Sequence, residues 1–288
     1  MKTINPSDIS VPELHSYLLG SIGPRPIALA STIDENGNRN LSPFSFFNVF
    51  SATPPILIFS PARRVRGNTT KHTLDNVHEV KETCISIVNY AMVQQVSLSS
   101  TEYDKGINEF IKAGFTEEPS EKIIPPRVKE SPVSFECIVK EIQPLGEEGG
   151  AGNLVICEVV LIHIDENILD ENGKINPLKV DSVARMGGNW YCRAAGENVF
   201  EIAKPLQQKG IGIDQLPISI KSSNVLSGNN LAALANVEEM PTLSSYSNVI
   251  DQAERERIKF LSVDDRHRNA QNYLKKGLMK EAWVSLLL

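Results

Sequence analysis

Short apolar runs rich in β-branched residues, separated by turn-forming residues, fill the first two thirds of the chain. Runs of this length and number favour an all-β barrel or sandwich with helical insertions. In the fifth run, Phe135, Cys137 and Val139 mark one clearly buried face, whereas the other face is mixed, as in a barrel wall. The predicted strands are residues 26–32, 41–47, 56–60, 84–89, 134–142 and 154–164.

Two Asn-Gly pairs predict sharp turns between or after these strands. Asn36-Gly37 lies between the first two predicted strands, and this dipeptide tolerates positive φ at both central positions of a β-hairpin. Asn172-Gly173 predicts a further turn after the longest strand. That strand, 154–164, is almost wholly apolar on both faces, which is typical of a strand in the middle of a sheet or at a subunit contact. We interpret His163 within it as a satisfied packing residue rather than a ligand.

The pattern changes after residue 194, where the chain becomes polar and helix-prone. Apolar positions recur with helical spacing over residues 247–261 and 264–287. We therefore predict two parts: a β-domain over residues 1–194 and an α-helical extension over residues 195–288. The apolar stripes of the extension are expected to pack on the barrel or on a partner subunit rather than to carry a separate activity.

Charge and composition narrow the classes of function. The chain has 29 Lys+Arg against 35 Asp+Glu, a formal net charge of -6, so no general attraction to nucleic acid or anionic lipid is expected. Its apolar runs are far shorter than the roughly 18 residues of a membrane-spanning helix. Pro6 and Asp8 interrupt the beginning of the chain before a signal-peptide core forms, so we expect a cytoplasmic protein without disulfides. The five histidines show no metal-ligand spacing, and no metal site is predicted.

The first segment that favours ligand binding is residues 40–48, where hydroxyl and amide side chains alternate with aromatic ones. Such a strand end offers hydrogen bonds to the edges of a planar ligand, while phenylalanine rings shield its faces. A half-buried edge strand without a ligand explains the same pattern.

The second segment, residues 60–71, carries Arg63, Arg64, Arg66 and Lys71 in an otherwise acidic chain. A predicted helix follows directly, so its first backbone N–H groups and these cations would together suit a phosphate. The alternative is a solvated basic loop.

The third segment, residues 181–191, combines Arg185 with the pair Gly187-Gly188 and the aromatic residues Trp190 and Tyr191. Glycines permit a close backbone approach to a flat ligand, although a turn into the helical extension is an equal explanation. The sequence contains no Gly-x-Ser-x-Gly, Walker-type or Gly-x-Gly-x-x-Gly motif, which disfavours hydrolase and Rossmann functions.

Taken in order, these segments resemble the flavin reductase-like proteins of the FMN-binding split-barrel superfamily. The resemblance rests on Pro24-Arg-Pro-Ile-Ala-Leu-Ala-Ser-Thr32, the Asn-Gly turn, residues 40–48, Pro54-Pro55 and Lys71-His-Thr73. Residues 108–114, 131–137 and 185–191 continue the same order. The resemblance covers about residues 15 to 195 and excludes the helical extension.

This resemblance implies a mainly β fold, a six-stranded antiparallel split barrel, in a homodimer that holds one FMN per subunit near the dimer interface. His72 stands where similar sequences often carry Asp, and Arg63 or Arg66 are alternatives to Arg64. The residues that the resemblance assigns to the ring are Ser31, Thr32, Asn40, Ser42, Phe44, Ser45 and Phe46; those assigned to the phosphate are Ser60, Arg64, Lys71 and Thr73; those assigned to the outer rim are Arg185 and Tyr191.

The expected activity is hydride transfer from NADH or NADPH to N5 of bound FMN and onward electron transfer to a second acceptor. Because the flavin supplies the redox chemistry, a catalytic triad is not needed. One alternative is an FMN-binding electron carrier without NAD(P)H activity. Another is a split-barrel scaffold whose pocket takes a different anion or serves interaction alone.

Overall fold

Antiparallel strands form the framework of the first 200 residues. The computed structural model describes residues 1–202 and 209–288, which divide into two units, Met1–Phe200 and Glu201–Leu288. The strands of the first unit are β1 (Ala28–Ile33), β2 (Arg39–Phe44), β3 (Phe47–Ala52), β4 (Pro55–Phe59), β5 (Glu82–Ile87), β6 (Glu117–Glu118), β7 (Arg127–Val128), β8 (Val133–Pro144), β9 (Asn153–Ile164), β10 (Val183–Gly187) and β11 (Trp190–Arg193).

Seven of these strands form one sheet in the order β2-β1-β5-β8-β9-β4-β3, so the predicted count of six is wrong. The predicted strand 41–47 is two strands, because the chain breaks pairing after Phe44 and restarts at Phe47. Strand β3 escaped prediction because it lies at the sheet edge and exposes Val49 and Phe50, so no alternation marks it. Within the described residues, β2 and β3 do not pair with each other, so backbone hydrogen bonds do not close the sheet into a barrel.

Both Asn-Gly turns are present. Gly37 has φ of +80° and its N–H donates to the Asp34 carbonyl, joining β1 to β2 in an antiparallel hairpin. Gly173 likewise has φ of +72° and donates to the Asp170 carbonyl. Strand β9 pairs with β8 on one side and β4 on the other, so it lies inside the sheet, one of the two positions that its apolar sequence predicts.

Strand β1 is buried on both faces and separates two hydrophobic clusters. Ala28 and Ala30 pack with Phe59 in the first cluster, whereas Leu29 packs with Phe110 in the second. The helices of this unit lie around the sheet. They are α1 (Val11–Ser21), α2 (His72–Glu79), α3 (Val93–Leu98), α4 (Glu109–Ala113) and α5 (Pro177–Val180), with 3-10 turns at Pro6–Asp8, Tyr90–Met92, Glu166–Ile168 and Gly196–Asn198.

Three thiols and one carboxyl group are buried inside the sheet. Cys84, Cys137 and Cys157 are free and buried, as their apolar surroundings predict, and burial raises the pKa of the Cys84 thiol to about 12. Glu136 is buried, accepts the backbone N–H groups of residues 121 and 122, and lies 2.6 Å from Nε2 of His163. His163 is therefore the hydrogen-bonded packing residue that the sequence predicts.

The second unit is helical and has its own core around Trp283. The predicted helix 264–287 is interrupted at Gly277, whose φ of +73° ends one helix before the next begins. No described helix has the length and apolarity needed to cross a membrane. The helices are α6 (Ile218–Lys221), α7 (Gly228–Ala235), α8 (Gln252–Lys259), α9 (Val263–Lys275) and α10 (Met279–Leu287), with a 3-10 turn at Ile213–Gln215.

Candidate functional site

Five of the thirteen predicted site residues line one cavity beside β2. Strand alternation places Asn40 and Ser42 on one face of β2, and α2, which begins directly after Lys71, approaches that face. The amide nitrogen of Asn40 donates to Oγ1 of Thr73 over 2.8 Å, which fixes the start of α2 against the strand. The predicted residues in this cavity are Asn40, Ser42, Arg64, Lys71 and Thr73.

Only one arginine of the basic segment reaches this cavity. Arg64 donates through Nη1 to Oγ1 of Thr69 over 3.1 Å and to the carbonyl of Thr70. Arg63 instead bonds Asn68, through Nε to Oδ1 over 2.6 Å and through Nη2 to the carbonyl over 2.8 Å. Arg66 is exposed. The choice of Arg64 over its neighbours is therefore consistent with the loop geometry.

The β8–β9 hairpin loop positions the arginine segment. Arg63 donates its N–H to the carbonyl of Ala151, and Gly150 donates to the carbonyl of Arg63. The loop approaches so closely that a Cβ on Gly149 would lie 2.8 Å from the Val65 carbonyl oxygen and 3.0 Å from that of Arg64. A glycine is needed here because any side chain would push the Arg64 backbone away.

Two cations and two carboxyl groups line the cavity, but only one of these carboxyl groups bonds a cation. Burial lowers the pKa of Lys71, and the nearby charge of Arg64 lowers it further. The carboxylate of Glu102 has the opposite, smaller effect. Glu102 lies 2.8 Å from Nε of Arg64, but its side chain is 68% exposed. The other lining carboxyl, Glu109, is buried and accepts the N–H of Leu41 over 2.9 Å, and burial raises its pKa. An incoming oxyanion therefore competes with one solvent-exposed carboxylate.

Phe44 supports the cavity from the core side rather than presenting a free ring. It is 5% exposed and packs on Phe59 with ring centroids 5.2 Å apart. Nζ of Lys71 lies 5.5 Å from the centroid of the Phe44 ring, a cation–π distance. The ring thus helps to hold a lysine that no carboxylate of the described residues bonds directly.

Four other predicted residues lie outside this cavity. Ser31 and Thr32 are completely buried; Thr32 accepts from the amide of Asn76, and Ser31 lies on the opposite face of β1. Ser60 accepts the N–H of Asn153, so its hydroxyl holds β9. Phe46 is exposed beside the ring of His15, 6.3 Å between centroids. These placements are set by the alternation of β1 and by the break after β2.

The remaining predicted residues, Ser45, Arg185 and Tyr191, line a second cavity of about 230 Å³. Ser100 lines both cavities, so the two spaces are adjacent. A third space of about 400 Å³ shares Arg185 and Tyr191 with the second. Arg25 and Ser100 also line the second cavity, and neither was predicted from the sequence. Arg25 lies in the Pro-Arg-Pro segment, where its positive charge was the signal that could have indicated an anion site.

Comparison with known proteins identifies the fold family. The model of the flavin reductase like domain matches residues 20–179, more than half of the chain. The chain belongs to the flavin reductase-like family. An uncharacterized protein of Aquifex aeolicus is 38% identical to it over 184 residues, which are 64% of this chain and 91% of that protein.

Solved structures agree with this family assignment. Component B of nitrilotriacetate monooxygenase from Bacillus cereus superposes with a TM-score of 0.65 at 30% identity, covering 70% of this flavin reductase-like chain and 98% of that chain. A Shewanella frigidimarina protein with a split barrel domain gives a TM-score of 0.59 at 27% identity, covering 69% of this chain and 95% of that one. The helical second unit lies outside the residues that the family model matches.

Substitution of Gly149 tests whether the β8–β9 loop sets the position of Arg64. Gly149→Ala should lower the free energy of unfolding by about 1–3 kcal/mol, because its Cβ overlaps two carbonyl oxygens that cannot rotate away. Urea unfolding followed by circular dichroism measures the change. Gly20→Ala is the matched control: its Cβ meets nothing within 4 Å and it lies in α1, so stability should stay equal or rise by up to about 1 kcal/mol. Equal effects of the two substitutions would contradict the positioning role.

Proposed function

We propose that this chain is an FMN-binding oxidoreductase of the flavin reductase type, which takes hydride from NADH or NADPH and passes electrons to a second acceptor. The observation that supports the proposal is the cavity of Arg64 and Lys71 at the polar end of β2. A second cavity lies next to it, and the chain belongs to the flavin reductase-like family.

The cavity residues fit the phosphate end of FMN. Arg64 offers a guanidinium and Lys71 an ammonium group, and the described residues supply only the exposed Glu102 as a bonded carboxylate. A phosphate would replace that carboxylate and receive charge-assisted hydrogen bonds from both cations. It would also relieve the repulsion between Arg64 and Lys71, which adds to the larger effect of burial in lowering the pKa of the lysine.

The neighbouring residues fit the ring. Asn40 and Ser42 on β2, and Ser45 just after it, offer amide and hydroxyl groups along a line from the first cavity to the second. Arg185 and Tyr191 would close the outer side of this space. We propose that Lys71, Arg64 and Thr73 hold the phosphate and that Asn40, Ser42 and Ser45 orient the ring edge, with Phe46 beside it.

FMN held by these residues would supply the two-electron hydride chemistry that links a nicotinamide to another acceptor. The residues of this chain bind and orient. The second cavity leaves room next to Ser45 for the nicotinamide or the acceptor.

We also propose that the protein works as a homodimer in the cytoplasm. The exposed apolar residues Val49 and Phe50 of edge strand β3 suit a subunit contact.

Absorption and turnover measurements test the function. Protein loaded with FMN should be yellow after gel filtration and should oxidise NADH or NADPH under steady state when a flavin or dye acceptor is present. A yellow protein that consumes neither nucleotide with any of several acceptors is an electron carrier, and the hydride-transfer proposal then fails. Protein that gains no thermal stability from FMN rejects flavin binding altogether, because a ligand selective for the folded state must stabilise it.

Removal of the two cations measures their share of FMN binding. Arg64→Ala and Lys71→Ala should each raise the FMN dissociation constant roughly 10- to 150-fold, since a hydrogen bond to a charged group contributes about 1.5–3 kcal/mol. Quenching of flavin fluorescence gives the constants. Arg66→Ala is the matched control from the same loop, because Arg66 is exposed and does not line the cavity, and its constant should change less than threefold. A loss at Arg66 as large as that at Arg64 would show that general charge, not this cavity, attracts FMN.

The pH dependence of FMN binding reports the charge of Lys71. Its pKa in the free protein lies below the ordinary 10.5, so the ammonium group loses its proton as pH rises through that lowered value. Affinity should fall as pH rises from about 7 toward the ordinary lysine pKa of 10.5, because Lys71 loses its charge within that interval while the phosphate stays largely doubly ionised, and binding should then take up a proton. Lys71→Arg keeps its charge throughout and should bind with a flat profile over this interval. Parallel profiles for the two proteins would assign the pH dependence to another group.

A further inference from the structure

We propose that Arg25 and Arg185 form a second anion site, separate from the Arg64–Lys71 cavity, which receives the phosphate or carboxylate oxygens of the reactant that exchanges electrons with the flavin. The existence of the anion site rests on the structure alone, whereas the role of its ligand rests on the proposed function.

The backbone holds these two arginines directly opposite each other. Arg25 donates its N–H to the carbonyl of Arg185, and Arg185 donates its N–H to the carbonyl of Arg25, each over 2.9 Å. Residues that exchange both hydrogen bonds in an antiparallel pair project their side chains on the same side. Like charges in that relation repel, and the charge of Arg185 does lower the pKa of Arg25, after the larger effect of burial.

Arg25 is buried with part of its guanidinium unused. Its residue is 6% exposed, and Nη1 donates to the carbonyls of Leu19 and Ile22 near the end of α1. Nε and Nη2 have no hydrogen-bond partner among residues 1–202 and 209–288. A buried guanidinium is ordinarily paired, because leaving its donors unsatisfied costs free energy. The unused donors of Arg25 therefore indicate an acceptor that binds from outside the chain.

No carboxylate of the described residues balances this pair. Arg185 donates to the hydroxyl of Tyr191 over 2.7 Å and to the carbonyl of Gly188 over 2.6 Å, both neutral groups. The side chains that line the cavity with the two arginines are apolar or carry hydroxyl groups. By contrast, Arg193 next to it bonds both oxygens of Asp181 over 2.6 and 2.8 Å. The fold thus pairs a neighbouring arginine with an acid but leaves Arg25 and Arg185 without one.

The position of the pair points to a reactant rather than to the flavin phosphate. The cavity of Arg25 and Arg185 borders Ser45, on the ring side, whereas the phosphate cavity contains Arg64 and Lys71. On the other side of Arg185 lies the 400 Å³ space lined by Tyr90 and Asn189, which offers room for the rest of a ligand. Guanidinium groups bind phosphate and carboxylate oxygens through the same paired N–H bonds, so both chemistries fit.

Arg185→Gln separates the two sources of the anion in the FMN-loaded protein. Two hydride donors are compared: NADH, and 1-benzyl-1,4-dihydronicotinamide, which lacks phosphates. If the site holds the dinucleotide phosphates, the KM for NADH rises at least tenfold more than the KM for the benzyl compound, with both measured at saturating FMN. If it holds an acidic acceptor, the KM for 4-nitrobenzoate rises and that for neutral 4-nitrobenzamide does not, with the benzyl donor in both assays.

Two further variants complete this experiment. Arg185→Lys keeps the charge and should restore most of the lost affinity. Arg268→Gln makes the same charge change on α9, where Arg268 is paired with Asp265 and 59% exposed, and should leave every constant unchanged. Equal KM changes for charged and neutral reactants, or no change with Arg185→Gln, overturn the proposal.

A binding measurement decides the anion site even if the chain turns over no nicotinamide. Inorganic pyrophosphate is titrated calorimetrically into the flavin-free double variant Arg64→Ala/Lys71→Ala, in which the phosphate cavity has lost its cations. Binding should persist there and weaken at least tenfold when Arg185→Gln is added. Failure of turnover alone would reject the proposed function and leave this result standing. Absence of binding, or binding indifferent to Arg185, rejects the anion site itself.

Discussion

The candidate site depends on positive charge that is held in place mainly by neutral groups, with one exposed carboxylate, Glu102, bonded to Arg64. Arg64 is fixed by the hydroxyl of Thr69 and the carbonyl of Thr70, and Arg25 by two carbonyls near the end of α1. Lys71 lies over the face of the Phe44 ring. Neutral acceptors orient a cation without cancelling its charge, so the field of each group remains available to a ligand. In a chain with net charge of -6, such an arrangement concentrates anion binding in a small part of the surface.

The sheet determines which residues of β2 face the site. Because β1 is buried on both faces, its neighbour β2 can turn Leu41 toward one hydrophobic cluster and Phe44 toward the other. The polar residues Asn40 and Ser42 then occupy the side of β2 that α2 approaches, and Ser45 follows where the strand ends. The break after Phe44 lets the chain leave β2 and begin β3 at the far edge of the same sheet. Ser45 lies in this break and lines the second cavity.

Much of this fold was predictable from local patterns, because the buried strands alternate or are wholly apolar and because Asn-Gly specifies a hairpin. The strand β3 was not, since Val49 and Phe50 are both exposed and no buried face imposes a period of two. In the site, composition could indicate an anion pocket but could not select Arg64 from Arg63 and Arg66. That selection depends on the β8–β9 loop, which packs on the arginine segment from a distant part of the chain.

The role of Arg25 also could not be predicted from the residues around it in the sequence. Its sequence context, between two prolines, predicts an extended backbone and says nothing of charge pairing. Its significance arises only because a backbone bridge sets it opposite Arg185 and because Leu19 and Ile22 take up one end of its guanidinium.

An internal carboxylate at Arg25 would have satisfied its donors and stabilised the fold, as Asp181 does for Arg193. It would also have to be displaced before any anion could bind, and a buried acid released from its partner is costly to leave uncompensated. The contrast with Glu102 supports this view: the one carboxylate that bonds a cation in the phosphate cavity is largely exposed, so water can solvate it when it leaves. The buried carboxyl group of that cavity, Glu109, accepts the backbone N–H of Leu41. Burial raises the pKa of Glu109, which favours its neutral form. Each acid near the site is therefore placed where it opposes an incoming anion least, and the unsatisfied donors of Arg25 are consistent with stability given up for binding.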